Sequence, residues 1–185
     1  MILPTILYGN PILRKKGKKV GKIDEKIRKL VKDLLETMRE AKGVGLAAQQ
    51  VGEALQVAVV DVTGVEDRPS KMWIDQKEVD PADHMPVILI NPEISLIKTK
   101  ETGWEGCLSF PGVDAEISRS KRVKVKALQP DGSIFEFEAG GLLGRAVQHE
   151  YDHIHGILLN DRMPAETRKA LKEQLNSVKE QGKAQ

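Results

Sequence analysis

The stretch QHEYDHIHG carries two histidines four residues apart, with a glutamate directly after the first. On a helix, side chains four residues apart stack one turn above the other, so the imidazoles of His149 and His153 can aim at one metal ion. Glu150 is rotated by about 100° from His149. That rotation keeps its carboxylate out of the ligand set and within reach of an attacking water molecule. The spacing therefore predicts a metal site with its own proton carrier.

An ordinary helix with incidental histidines is the alternative, because three of the four histidines of the chain lie between residues 149 and 155. However, both motif histidines and Glu150 fall on or near the apolar face of the helix. Burying these three polar groups without a partner would be costly. The motif by itself favours a metal site.

A catalytic site of this kind needs a third protein ligand and one open position. A histidine six residues after the second is one solution, but Leu159 stands at that position. A glutamate from a later helix is another solution, and Glu166 and Glu173 are its candidates. The remaining candidate is Cys107, the only cysteine, because a thiolate binds divalent iron or zinc well. A lone cysteine can equally be a small buried apolar residue, so the residues alone leave the third ligand open.

Two further segments allow the backbone to approach a ligand closely. WEGCLSFPG, residues 104–112, has two glycines and a proline around the thiol, which predicts a tightly bent backbone. GVGLAAQQ, residues 43–50, is rich in small residues, and Gln50 could present an amide donor to a site. A helix end followed by a tight turn on the core explains this second segment equally well.

Apolar spacing predicts the elements that must position these residues. A helix from Asp24 to Lys42 has apolar residues three and four apart, with Asp24 as its cap and Gly43 as its end. A second helix is predicted from Gly141 to Gly156, although Gly144 is a poor helix former. Strands are predicted over 56–62 and 86–94, the second ended or bent at Pro92, and a hairpin over 122–139.

The remaining segments are expected at the surface. Residues 63–85 are polar and contain two prolines, so we expect a surface excursion that is partly disordered. A final helix from Pro164 to about Glu180 has a thin apolar stripe of Leu171, Leu175 and Val178, which favours a surface helix.

The element order predicts an α+β fold, because strands and helices do not alternate regularly. We expect small antiparallel or mixed sheets around a central helix that carries His-Glu-x-x-His, plus an N-terminal and a C-terminal helix. The 185 residues fit one catalytic domain, with 164–185 as its C-terminal helix or tail. The net charge of +2 gives no strong reason to expect DNA or a membrane as partner. We expect a cytoplasmic protein, since neither a signal peptide nor a membrane span is visible. A monomer is a separate expectation.

Taken together, the three segments resemble the peptide deformylase family. That family carries Gly-x-Gly-φ-Ala-Ala-x-Gln, Glu-Gly-Cys-Leu-Ser and Gln-His-Glu-x-x-His in this order, here at 43–50, 105–109 and 148–153. The resemblance extends from about Pro4 to Pro164. It implies a hydrolase that removes the formyl group from the N-terminal methionine of nascent polypeptides and releases formate.

The resemblance also implies a cofactor and residue roles. One Fe²⁺, replaceable by Zn²⁺, Ni²⁺ or Co²⁺, would be held by Cys107, His149 and His153. Glu150 would carry the proton, and the Gln50 amide and the Leu108 N–H would stabilise the developing oxyanion. Contacts to substrate are expected from the backbone of Gly45, Glu105 and Gly106, and from a methionine pocket of Val44, Leu142, Arg145 and Ala146. The Arg145 stem would line this pocket while its charge stays in water.

In some relatives the last helix docks on the ribosome, so a ribosome contact through the C-terminal helix is a further expectation. The main alternative function is a metallopeptidase that uses His149, His153 and a downstream glutamate such as Glu173. That enzyme would keep its metal in a Cys107→Ser variant. A binding module with a structural metal is a weaker alternative, because such sites usually have four protein ligands.

Overall fold

A computed structural model describes residues 1–185. The chain forms nine strands and five α-helices, in the order α1 (Glu25–Glu40), β1 (Gly45–Ala47), β2 (Val57–Val60), β3 (Ser70–Ile74), β4 (Lys77–Val79), β5 (Val87–Leu96), β6 (Lys100–Glu105), β7 (Ala115–Ser120), β8 (Arg122–Leu128), β9 (Ile134–Gly140), α2 (Gly141–Ile154), α3 (Leu159–Arg162), α4 (Ala165–Ala170) and α5 (Lys172–Lys183). Three short 3-10 helices span Pro11–Arg14, Ala48–Val51 and Pro81–His84.

The strands form a seven-stranded antiparallel sheet, in the order β1-β2-β5-β8-β9-β3-β4, and a separate β6–β7 pair. Helices cover both faces of the β1-β2-β5 end of the large sheet. In β2, Val57 and Val59 pack in the cluster of α1, whereas Ala58 and Val60 pack in the cluster of α2. Because successive side chains point to opposite faces, a strand buried on both sides is apolar throughout. The α+β class with a central motif helix is confirmed.

Helix α1 begins as predicted and ends two residues earlier than predicted. Asp24 Oδ1 accepts a hydrogen bond from the Ile27 N–H at 3.1 Å, which makes it the cap. At the other end, Lys42 takes the left-handed conformation with φ 54°, and Gly43 donates to the Met38 carbonyl at 2.9 Å. Lys42, and not Gly43, therefore turns the chain out of the helix toward β1.

Residues 63–85 contribute β3, β4 and a 3-10 helix to the fold, so the expectation of a partly disordered excursion was wrong. β3 pairs with β9, and Met72, opposite Ala139, is fully buried. Ser70 Oγ accepts a hydrogen bond from the Leu143 N–H at 3.0 Å, which ties this segment to α2. The segment looked polar because β3 and β4 lie at the end of the sheet, where few side chains are buried.

The β8–β9 hairpin is confirmed, and β5 bends without ending at Pro92. The pairing of β5 with β8 shifts register between Ile90 and Glu93, where Asn91 has φ 49°. Such a bulge lets a strand continue past a proline.

Helix α2 is the buried centre of the fold, with 12 of its 14 residues buried. It ends at Ile154, and Gly156, with φ 72°, turns the chain beyond it. Gly144 is required by packing, since a Cβ there would lie 2.8 Å from the Ala139 carbonyl oxygen of β9. The loss of helix propensity is the cost of bringing α2 close to the sheet.

The C-terminal segment is broken into α3, α4 and α5, and α5 is docked on the protein. Leu175 and Val178 are buried in a cluster that includes Leu13 and Phe110. The prediction of a surface helix was therefore wrong for the inner face of α5. The apolar stripe has too few residues to indicate burial from sequence, and it is buried because the N-terminal segment covers it. None of the five helices combines the length and apolar character that a membrane span requires.

Candidate active site

Three potential ligand atoms from two parts of the fold converge on one point. His149 and His153 project from α2, and Cys107 comes from the turn after β6. The His153 Nε2 atom lies 3.3 Å from the Cys107 sulfur and 3.2 Å from the His149 Nε2 atom, and all three ligand atoms lie within 4.8 Å of one another. Two nitrogens bound to one tetrahedral ion at typical bond lengths lie about 3.3 Å apart. The donor set and its spacing therefore fit a divalent metal ion.

The two glutamates that the sequence offered as alternative third ligands lie outside this cluster. Glu166 on α4 and Glu173 on α5 are both exposed to solvent, whereas the two histidines are buried. Neither glutamate belongs to the cluster. The structure thus brings Cys107 together with the two histidines and places neither glutamate in this cluster.

Glu105 orients one of the imidazoles. Its Oε2 atom lies 2.9 Å from His149 Nδ1. A hydrogen bond from this nitrogen leaves the Nε2 lone pair of His149 free for a metal. Burial acts to raise the pKa of Glu105, but the hydrogen bonds from Arg119 and His149 outweigh burial and keep the pKa below its usual value. Burial and the neighbouring His149 lower the pKa of His153, which favours the neutral ring that a ligand must have.

A buried ion network holds Glu105 in place. Arg119 donates to both Glu105 oxygens, at 2.8 and 2.9 Å, and also to Asp152. Asp152 accepts two further hydrogen bonds from Arg162, at 2.9 and 2.5 Å. The network links the two-stranded β6–β7 sheet, which leads to Cys107, to the helix that carries the histidines.

Arg145 belongs to the same network, and the expectation that its charge stays in water was wrong. The residue is only 6% exposed. Its Nη1 atom donates to Glu105 at 2.9 Å and to the Ile117 carbonyl at 2.7 Å, and Nη2 donates to the Glu101 carbonyl at 3.2 Å. If the Arg145 guanidinium lay in water, the buried Glu105 carboxylate and the two carbonyl groups would lose these hydrogen-bond donors. Unpaired buried acceptors are costly, so the guanidinium stays buried among them.

The Gln50 side chain points its amide nitrogen into the site. Its Oε1 atom accepts a hydrogen bond from the Ala47 N–H at 2.9 Å, which fixes the orientation of the amide. Nε2 then faces the Ser109 hydroxyl at 3.1 Å and the Cys107 sulfur at 3.6 Å. The GVGLAAQQ segment is therefore a strand and a 3-10 helix that present this donor, rather than a simple turn.

Glu150 lies against the backbone of β1. A Cβ on Gly45 would come within 2.4 Å of Glu150 Oε1, so only glycine leaves room for this carboxylate. Burial raises the pKa of Glu150 to about 7, and its Oε2 atom has no hydrogen-bond partner. A buried carboxylate with a free oxygen and a pKa near neutrality is suited to accept and return a proton.

A cavity of about 410 Å³ opens beside these groups. Of the residues proposed from sequence, all except the fully enclosed His153 line it: Val44, Gly45, Gln50, Glu105, Gly106, Cys107, Leu108, Leu142, Arg145, Ala146, His149 and Glu150. The N–H of Leu108 and both backbone polar groups of Gly106 have no hydrogen-bond partner within the chain. They remain available to a substrate.

Sequence reasoning missed the Arg119–Asp152–Arg162 part of the site. Asp152 stands in the motif helix, three residues after His149, so its position on the same buried face was a usable signal. Arg119 lies in a short strand in which alternate residues are buried, and its charge gave no hint of burial. Only the tertiary fold brings these groups to Glu105.

A buried helix that presents two histidines and a neighbouring carboxylate, beside a thiol from the turn after β6, offers the groups that a metal-dependent hydrolase uses. The family model described as polypeptide deformylase matches residues 2–169. The chain belongs to the polypeptide deformylase family.

Individual relatives agree. A peptide deformylase of Methylacidiphilum infernorum is 51% identical over 179 residues, which cover 97% of this chain and 94% of that protein. A peptide deformylase of Dictyoglomus thermophilum is 46% identical over 91% of this chain and 97% of that protein. The crystal structure of the Thermotoga maritima peptide deformylase superposes with a TM-score of 0.75 at 39% identity, covering 89% of this chain and 99% of that one. The Plasmodium falciparum enzyme gives a TM-score of 0.83 at 29% identity, covering 97% of both chains.

Proposed function

We infer that this chain removes the formyl group from the N-terminal formyl-methionine of newly made polypeptides. The products are formate and a free amino terminus. The observation that carries this inference is the convergence of Cys107, His149 and His153 beside Glu150, in a cavity of a deformylase-family chain. The family relationship supplies the reaction, and the geometry supplies the groups that it needs.

The proposed cofactor is one Fe²⁺ per chain, with Zn²⁺, Ni²⁺ or Co²⁺ as substitutes. Cys107, His149 and His153 would hold it, because one sulfur and two imidazole nitrogens suit iron and zinc. When bound, the cation supplies Lewis acidity, which polarises a carbonyl and makes water easier to deprotonate.

Glu150 is the proposed proton carrier. Its carboxylate takes a proton from the water that attacks the formyl carbon, and later delivers this proton to the departing amine nitrogen as the C–N bond breaks. The raised pKa supports both steps, since a group that titrates near the working pH can accept a proton and release it.

Gln50 and Leu108 are the proposed donors to the oxyanion that forms on the formyl oxygen. The Gln50 amide is held in place by Ala47, and the Leu108 N–H is free. Donors that are oriented in advance need no rearrangement during the reaction, and removing one such donor typically costs about 10²–10³ in kcat.

The substrate backbone is proposed to lie between Gly45, on the edge strand β1, and Glu105–Gly106 at the end of β6. Pairing through the main chain would tolerate many sequences after methionine. Val44, Leu142 and Ala146 are the proposed walls of the methionine pocket. Arg145 contributes its stem to this wall, while its charged end braces Glu105.

The metallopeptidase alternative loses its support, since Glu166 and Glu173 are solvent-exposed and lie outside the metal cluster.

Ribosome docking through the C-terminal segment is a separate proposal. The inner face of α5 is used for packing, so docking would use the exposed basic residues, which include Arg168, Lys169 and Lys172. Replacing these three exposed basic residues with glutamine should reduce co-sedimentation with ribosomes while leaving the buried face of α5 intact. Because the substrate is a nascent chain, we propose that the protein acts in the cytoplasm. We further propose that it is a monomer with a single domain.

The decisive experiment measures formate release from a formyl-Met peptide under anaerobic conditions, together with metal content. Glu150→Ala should keep its metal and lose formate release, whereas Cys107→Ser should lose or alter the metal site. Gly21→Ala is a matched control, because a Cβ at Gly21 meets nothing within 4 Å. Near-normal turnover by Glu150→Ala would refute the proton-carrier role, and intact metal in Cys107→Ser would refute the ligand set.

A further inference from the structure

An arginine from the β2–β3 connection closes the free edge of β6. Arg68 lines the same cavity as the proposed catalytic groups, and its Nη2 atom donates to the Trp104 carbonyl at 2.8 Å. In an antiparallel pair, successive residues alternate between facing the partner strand and facing away from it. The Trp104 carbonyl therefore faces away from β7, toward the same edge as Gly106, two residues further on.

This arrangement limits how far a substrate can pair with β6. The polar backbone groups of Gly106 are free, whereas the Trp104 carbonyl is already occupied by Arg68. A substrate whose formyl end lies at Cys107 and whose chain leaves along this edge runs from Gly106 toward Trp104. Two residues of extended chain span about 7 Å. If the formyl-methionine lies opposite Gly106, its third residue lies opposite Trp104 and meets Arg68.

The charge at this end of the cavity is not neutralised by the protein. Arg68 has no carboxylate within 4.0 Å, although a guanidinium has five N–H donors. Lys42, another residue of the cavity lining, is also without an ion pair, and Asp114 is the one exposed acidic residue of the lining. The deeper charges of Glu105 and Arg145 are paired with each other. The mouth therefore offers two free cations and one free anion to a peptide.

We propose that Arg68 forms a subsite for a carboxylate on the third residue of the substrate. This subsite rests on the proposed function, since it is defined by the direction in which a formylated peptide would leave the reacting groups. Arg68 touches none of the metal ligands, so it acts on substrate choice and not on the chemical step. The connection before β3 would in this way set a preference that main-chain pairing alone cannot give.

The test compares formyl-Met-Ala-Asp-Ala-amide with its Lys counterpart in the third position, using kcat/KM for formate release. The amidated end leaves the side chain as the only carboxylate, and formyl-Met-Ala-Ala as a free acid reports the effect of a terminal carboxylate. At low ionic strength we expect the Asp peptide to be favoured about two- to fivefold, as for one solvent-exposed ion pair. High salt should reduce this preference.

The variants decide whether Arg68 is responsible. Arg68→Gln should abolish the Asp-over-Lys preference, Arg68→Lys should retain part of it, and the control Lys77→Gln, an exposed change on β4, should leave it unchanged. The same preference in wild type and Arg68→Gln, or a preference located at the second or fourth residue instead, overturns the subsite. Equal formate release from both peptides by the wild type overturns the subsite alone. No release from any peptide overturns the proposed function and the subsite with it.

Discussion

Replacing Glu105 with glutamine should destabilise the fold and weaken metal binding at the same time. The Glu105 carboxylate accepts two hydrogen bonds from Arg119, one from Arg145 and one from His149, at 2.8 to 2.9 Å. A glutamine has one acceptor oxygen, and its amide hydrogens would face the guanidinium groups. Arg119 would retain Asp152 as a partner, but Arg145 would lose its only carboxylate.

The magnitude follows from the burial of these charges. Glu105, Arg119 and Arg145 are each only 5 to 6% exposed. Removing one partner of a buried ion pair typically costs about 3–5 kcal/mol, because an uncompensated charge stays buried. With a urea m-value of about 2 kcal/mol per molar, the unfolding midpoint should fall by about 1.5–2.5 M. Loss of the hydrogen bond that orients His149 should lower metal affinity about 10- to 100-fold.

The assay is urea unfolding of the metal-free protein, followed by metal titration of the folded variant. Glu116→Gln is the matched control, because it makes the same chemical change on the exposed side of the neighbouring strand β7 and should shift stability by less than about 0.5 kcal/mol. A loss below about 1 kcal/mol for Glu105→Gln, with unchanged metal affinity, would refute the view that this carboxylate holds the two parts of the site together.

Three further perturbations test other parts of the structure. Gly45→Ala places a Cβ 2.4 Å from Glu150 Oε1, so we expect kcat to fall at least about tenfold with metal content retained, while Gly21→Ala stays active; equal kcat values would contradict the close approach. In the metal-free protein, the raised pKa of Glu150 means that the folded state holds a proton which the unfolded state releases above its normal value of 4.5, so stability falls between pH 4.5 and about 7. Glu150→Gln should remove this loss, so it should raise the free energy of unfolding of the metal-free protein more at pH 8 than at pH 4, by roughly 3 kcal/mol at most. A pH-independent difference would contradict the raised pKa. Met72→Ala should cost about 2–5 kcal/mol in chemical unfolding if β3 belongs to the core, and a surface segment would lose far less.

Helices, caps and hairpins could be predicted from the sequence where interactions between residues close together in the chain determine them. The spacing of His149, Glu150 and His153 fixed their relation, because a helix has one geometry. The cap at Asp24 and the hairpin of β8 and β9 follow from short-range hydrogen bonding and alternation. The proposal of Cys107 as the third ligand needed the family resemblance, because spacing says nothing about a residue more than forty positions away.

Other features were decided by packing between distant segments. Residues 63–85 contain too few apolar side chains to signal β3 and β4, since these strands lie at the end of the sheet and Met72 is their only buried residue. Arg145 and Arg119 looked like surface charges, because the sequence does not show that the Glu105 carboxylate will be folded against them. The stripe of Leu175 and Val178 was too thin to predict burial, and it is buried because the N-terminal segment covers it.

The sequence alone therefore determined which groups could do the chemistry, because residue type and helical spacing are local properties. The tertiary structure alone decided where the charges are neutralised, which backbone groups stay free and where the substrate cavity ends. These outcomes depend on burial and on the meeting of strands that are far apart in the chain. Glu105 illustrates both contributions. The sequence places it two residues before the thiol of Cys107, whereas only the fold shows that the buried side chains of Arg119, Arg145 and His149 converge on its carboxylate.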